Sequence, residues 1–134
     1  MDMKIIKAAE AAADWWAGKL GTLNQDNGID NKESMILYSL LSMMQAPKED
    51  VTIAFKEDLT LAIVDELMAY GRCNLYVDYA PEGILGEVAA KHNVSRWAFP
   101  CKSSMQITPE KVEASDGYQH PYVTIYEDTE SENE

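Results

Sequence analysis

The spacing of apolar residues first changes period close to residue 72, and this change constrains the fold more than any other feature of the chain. Before it, apolar side chains recur every three or four residues, the period of an amphipathic helix. After it they alternate with polar neighbours, the period of a half-buried strand. A chain built this way segregates its helices from most of its strands, which is the signature of an α+β domain.

Within the helical half, Ile5, Ala9, Ala12, Trp16 and Leu20 define one apolar face over residues 3–20, and Gly21 closes that helix. Residues 22–31, with the turn dipeptide Asn27-Gly28, read as a loop. A second helix is expected from Lys32 to Gln45, with Ile36, Leu37, Leu40, Leu41 and Met44 inward and Pro47 beyond it. Residues 51–55 fit either a short strand or a first helical turn. From Lys56 to Tyr70 the pattern is helical. Leu59, Leu61, Ile63, Val64, Leu67 and Met68 cover nearly half its circumference, so a central, mostly buried helix is expected, with Asp58 and Asp65 toward solvent and Gly71 at its end.

In the second half, Cys73 to Tyr79 reads as a strand, Pro81 opens a helix reaching His92, and residues 104–108 and 111–115 form a hairpin across Pro109. Tyr122 to Glu127 supply a last strand. The expected plan is three helices packed on a small mixed sheet of β-α-β-β-β order. Were the strands near 75 and 105 parallel, their crossover would be right-handed. Residues 1–127 make a single domain of a size that needs no disulfide or metal to hold its core. Residues 128–134 carry no apolar side chain and are expected to be a disordered acidic tail.

Charge narrows the partners. Twenty-three Asp and Glu stand against eleven Lys and Arg, a net of −12, which repels nucleic acid and anionic membranes and attracts basic surfaces. Five of those acids fall in residues 127–134, so residues 1–126 carry only −7. No apolar run is long enough to span a bilayer, the start lacks the continuous apolar stretch of a signal peptide, and the two cysteines are far apart in sequence. The cytoplasm is the expected compartment.

Searches for chemistry return little. Residues 24–33 are rich in oxygen ligands, but with Gly28 at the sixth position of a calcium loop the first position is Leu23, where that loop needs Asp. Cys73, Cys101, His92 and His120 lack the paired spacing of a zinc site, and no metal or cofactor is expected. No nucleophile elbow is present. Asp78 ends a strand just before a helix, where it is expected to cap that helix. The strand–turn–helix step after it matches no phosphate-binding motif.

One asymmetry stands out. Between Val88 and Pro109 there is no acidic residue, yet Lys91, Arg96 and Lys102 fall there with Trp97 and Phe99 between them. Two readings follow. Either these cations meet the chain's own carboxylates, or they grip an acidic group of a ligand or partner. The candidate binding residues are therefore Tyr79, Arg96, Trp97 and Lys102.

The run Phe99 to Ile107, then Val112, Gly117-Tyr118 and Ile125-Tyr126, together with Trp15-Trp16 and the Asp26-Asn27-Gly28 loop, resembles small proteins carried by prophages and mobile elements of gut bacteria. The resemblance implies an accessory role alongside or against host machinery and transfers no catalytic residue. Two functions are carried forward. The first is a non-enzymatic acidic protein that binds a partner with a basic surface, with self-association as a variant. The second is a binder of a small phosphorylated ligand or nucleotide, or a modest enzyme, using the cleft after residues 73–79.

Overall fold

A computed structural model describes residues 3–20, 47–100, 102–117 and 119–128. The expected helix at 32–45, the loop before it, Cys101 and Tyr118 lie outside the described residues. Helix α1 spans Met3–Lys19 and α2 spans Glu49–Tyr70. Strand β1 (Cys73–Val77), helix α3 (Gly83–Lys91) and a single 3-10 turn (Arg96–Ala98) follow. Three strands complete the order: β2 (Ser103–Ile107), β3 (Lys111–Ser115) and β4 (Val123–Glu127).

The fold is α+β. Its sheet has the order β1-β2-β3-β4, and every neighbouring pair is antiparallel, so the expected mixed sheet is corrected. Val77 pairs with Ser103, so the chain leaves β1 and re-enters β2 at the same end of the sheet. That requires an excursion with no net displacement. Helix α3 carries the chain out, and Asn93, at φ 56, reverses it; residues 94–100 bring it back. Apolar periodicity carries no strand direction, which is why spacing alone did not settle this.

Residues 51–55 belong to α2. Glu49 and Asp50 favour the positive end of the helix dipole in its first turn, and Phe55 is buried, which outweighs the strand preference of Val51, Thr52 and Ile53. Gly71 ends the helix in the left-handed region, φ 77, and its N–H donates to the Leu67 carbonyl at 2.9 Å.

One core holds the layers together. Ala8, Ala9, Ala12 and Ala13 let α1 approach α2 closely, with Trp16 filling the remaining space. Phe99 stands at the junction. Its ring lies 5.8 Å from Phe55 and 6.4 Å from Trp16, so the segment leading into β2 is pinned to both helices. Leu75, Val77, Met105, Ile107, Val112 and Ala114 point from the sheet into the same core. Trp15, edge-on to Trp16 at 4.8 Å, is half-buried beneath Lys19.

The opposite face of the sheet is polar. Tyr76, Ser104 and Ser115 fall in one row across β1, β2 and β3, and Asn74, Gln106 and Glu113 in the next. Asp128, the first residue of the expected tail, is buried and paired with Lys4 at 3.4 Å, so the ordered fold includes it. Residues 129–134 lie outside the described residues.

Candidate functional site

Two surfaces combine exposure with chemistry. The first is a cleft of about 440 Å³ on the polar face of the sheet, at the end where β1 stops and β2 begins. Its walls include Tyr76, Asp78, Lys102, Ser104, Gln119, His120 and Tyr122.

Its geometry follows from two departures of the backbone. Lys102 and Gln119 hold φ of 59 and 63, a region costly for residues with a Cβ. The turn at Lys102 places its N–H on the Asp78 carbonyl at 2.9 Å and its ammonium against the Asp78 carboxylate. Asp78 therefore does not cap α3; the residue before that helix is Glu82, which makes no side-chain cap. The same ammonium lies 4.5 Å from the centre of the Tyr79 ring. Gln119 sits in the loop that folds over β3. There Ser115 donates its hydroxyl to the His120 carbonyl at 2.8 Å, and His120 Nδ1 meets Asp116 at 2.8 Å. That contact, reinforced by Lys19, holds the Asp116 carboxyl below the usual carboxylate range.

Of the four residues expected to form a binding site, the structure brings two together, Tyr79 and Lys102. Arg96 is exposed on the 3-10 turn and is not among the described residues lining the cleft, and Trp97 follows it on that turn. The acid-free stretch does not form one basic surface. Lys91 and His92 both turn to Asp58 on α2, at 3.1 and 2.6 Å, and these bonds hold the Asp58 carboxyl low. Lys102 turns to Asp78. Tyr76, Ser104, Gln119, His120 and Tyr122 were missed because they come from segments that alternation and turn rules assign only to local structure.

The serine hydroxyls of the cleft are all hydrogen-bonded. Ser103 donates to the Pro100 carbonyl, Ser104 shares a 2.6 Å hydrogen bond with the Tyr122 hydroxyl, and Ser115 is committed to backbone carbonyls. Burial, with Glu66 adding to it, pushes the Cys73 thiol up to about 12, which removes it as a nucleophile. Among the described residues no group of three or more His, Cys, Asp or Glu is placed to hold a metal ion, and no helix is long and apolar enough to cross a membrane.

The second surface is the outer face of α2. Ile53, Glu57, Leu61, Asp65 and Met68 follow one another at three- and four-residue spacing, all exposed, opposite the buried row of Phe55, Leu59, Ile63 and Leu67. Ile53 is 51% exposed, Leu61 63% and Met68 59%. The expectation of a mostly buried helix is corrected here: among the described residues α1, α3 and β1 pack against α2 and leave Ile53, Leu61 and Met68 exposed. Asp58, expected in solvent, is instead half-buried between Lys91 and His92. Glu10 and Thr60 join Ile53, Glu57 and Leu61 around a groove of about 440 Å³ between α1 and α2, where Lys56 bonds Asp14 at 2.6 Å.

No protein-family model and no curated protein matches this chain. Its class is therefore set by the structure: a two-layer α+β domain with a helical layer on one face of an antiparallel sheet.

Proposed function

We propose that this chain is a non-enzymatic interaction protein whose α2 outer face binds a partner carrying both basic and apolar groups. The observation that supports this is the row Ile53, Leu61 and Met68, three large apolar side chains exposed on one stripe and interleaved with Glu57 and Asp65. Burying an aliphatic side chain of this size is worth about 1.5–3 kcal/mol, so an aligned row marks a surface suited to a second protein. Single exposed apolar residues carry no such meaning. The acidic residues among them select against acidic partners, and the net charge of −12 steers basic ones toward the chain. The same field disfavours nucleic acid. An accessory protein of a mobile element, acting on a basic host protein, is the setting this reading fits best.

The test is retention of lysate proteins on the immobilised chain across a salt series. The expected result is a specific protein held at low salt and released as ionic strength rises. Retention indifferent to salt, or none at low salt, contradicts the electrostatic part of the reading. Self-association through this face would appear instead as a mass that grows with concentration. Coverage of the face by residues 21–46 would make Leu61→Lys destabilising and leave retention unchanged.

A further inference from the structure

The sheet-face cleft is independent of the partner-binding face and poses a different recognition problem. Its volume falls within the roughly 300–1,000 Å³ of small-molecule sites. Two aromatic rings flank it, Tyr76 at 52% exposure and Tyr122 at 44%, and Tyr79 stands beside it under Lys102. A phenol ring gains from covering its apolar faces, so these rings offer a stacking surface to a ligand. The same lining offers the Ser104 and Tyr122 hydroxyls and the Gln119 amide, which donate and accept, the Asp78 carboxylate, which accepts, and the Lys102 ammonium, which donates.

Charge decides the ligand class. Lys102 contacts Asp78, and His120 contacts Asp116, so each cationic or protonatable group of the described lining already faces a carboxylate. A phosphate dianion entering here would meet the Asp78 carboxylate, which lines the cleft and already holds the Lys102 ammonium. A neutral molecule meets no such cost. Among the described residues, two of the three non-glycines with left-handed backbone, Lys102 and Gln119, line this cleft. Such conformations persist where the surrounding structure enforces them, and at Lys102 the turn sets the ammonium beside the Tyr79 ring.

We propose that the cleft is a carbohydrate site: it takes a neutral hexose ring, whose apolar face stacks on Tyr76 or Tyr122 while its hydroxyls bond Asp78, Lys102, Ser104 and Gln119. The ligand is a free sugar or the end of a longer glycan, and the chemistry of recognition is common to both.

The test uses amide chemical-shift mapping on the full chain. The probes are glucose, galactose, mannose and N-acetylglucosamine, then maltose, cellobiose and their hexasaccharides, with inorganic phosphate and adenosine monophosphate as anionic comparators. The expected result is saturable shifts from at least one neutral sugar, confined to residues 76–79, 102–104 and 115–122. Hexasaccharides binding tighter than the single ring would indicate a glycan end; equal affinity would indicate a free sugar. Tyr76→Ala and Tyr122→Ala should each weaken binding roughly tenfold or more while the remaining spectrum stays unchanged. Tyr122→Phe, which keeps the ring, should lose only a fewfold. Absence of shifts with every sugar overturns the proposal, as do stronger shifts with phosphate or adenosine monophosphate. Unchanged sugar affinity in both folded alanine variants overturns it as well.

Discussion

The outer face of α2 and the outer face of the sheet are both turned to solvent, yet they are built from opposite materials. The helix presents aliphatic side chains between carboxylates, on a regular backbone with a groove of about 440 Å³ beside it. The sheet presents tyrosine, serine and paired charges around a concavity made by two left-handed turns. A surface of the first kind complements another protein, where area and steering matter. A surface of the second kind complements a small polar molecule, where directed hydrogen bonds matter. On the two proposals, one acidic chain carries two recognition chemistries, kept apart by the sheet.

The comparison is most easily broken at the core both faces share. Phe99 contacts Phe55 and Trp16 and leads directly into the cleft strand. Phe99→Ala should cost about 3–5 kcal/mol, measured by denaturant unfolding, and should disturb both faces in one cooperative transition. Two separate transitions would mean that the faces do not share a core. Gly86→Ala is more selective. A Cβ there would stand 2.7 Å from the Pro81 carbonyl oxygen, so α3 must move off the turn that follows Asp78. A loss of about 1–3 kcal/mol is expected, with amide shifts on the cleft side and little change along residues 53–68.

How much of this was legible beforehand depended on range. Helix α1 was readable from Ile5, Ala9, Ala12 and Trp16, and the β2–β3 hairpin from its alternation around Pro109, because both are local patterns. The start of α2 was not, since Val51, Thr52 and Ile53 favour strands in isolation and only the burial of Phe55 and the first-turn acids decide otherwise. Leu61 and Met68 read as core because spacing reveals an apolar stripe but not which side of it has a neighbour. Lys102 and Tyr79 were legible as exceptional residues, whereas His120, Gln119 and Tyr122 were hidden in what reads as a simple turn. The left-handed backbone at Lys102 and Gln119 has no sequence mark, for neither is glycine or asparagine.

Acid provides a finer comparison. Asp58 ties α2 to the end of α3 through His92 and Lys91, and Asp116 ties the cleft loop to His120 and Lys19. Both carboxyls are held below their ordinary value, so their stabilising effect is complete above a pH of about 4 and is lost as the pH falls through the lowered values. Thermal melts from neutral pH downward should therefore show Tm falling in that window. Asp58→Asn should flatten the fall, while Asp116→Asn should change stability by within about 1 kcal/mol and loosen amide protection only at 116–122.

The smallest stability effects belong to the helix face. Leu61→Lys and Met68→Lys should each lie within about 0.5 kcal/mol of wild type, because these side chains are already in water. Their effect should fall on binding instead. The decisive measurement is partner retention at low salt by three folded chains: wild type, the Leu61→Lys/Met68→Lys double variant, and Tyr122→Ala. The account predicts that the double variant loses the partner while Tyr122→Ala retains it as wild type does. Retention by the double variant, or its loss in Tyr122→Ala, would contradict the assignment of partner binding to α2.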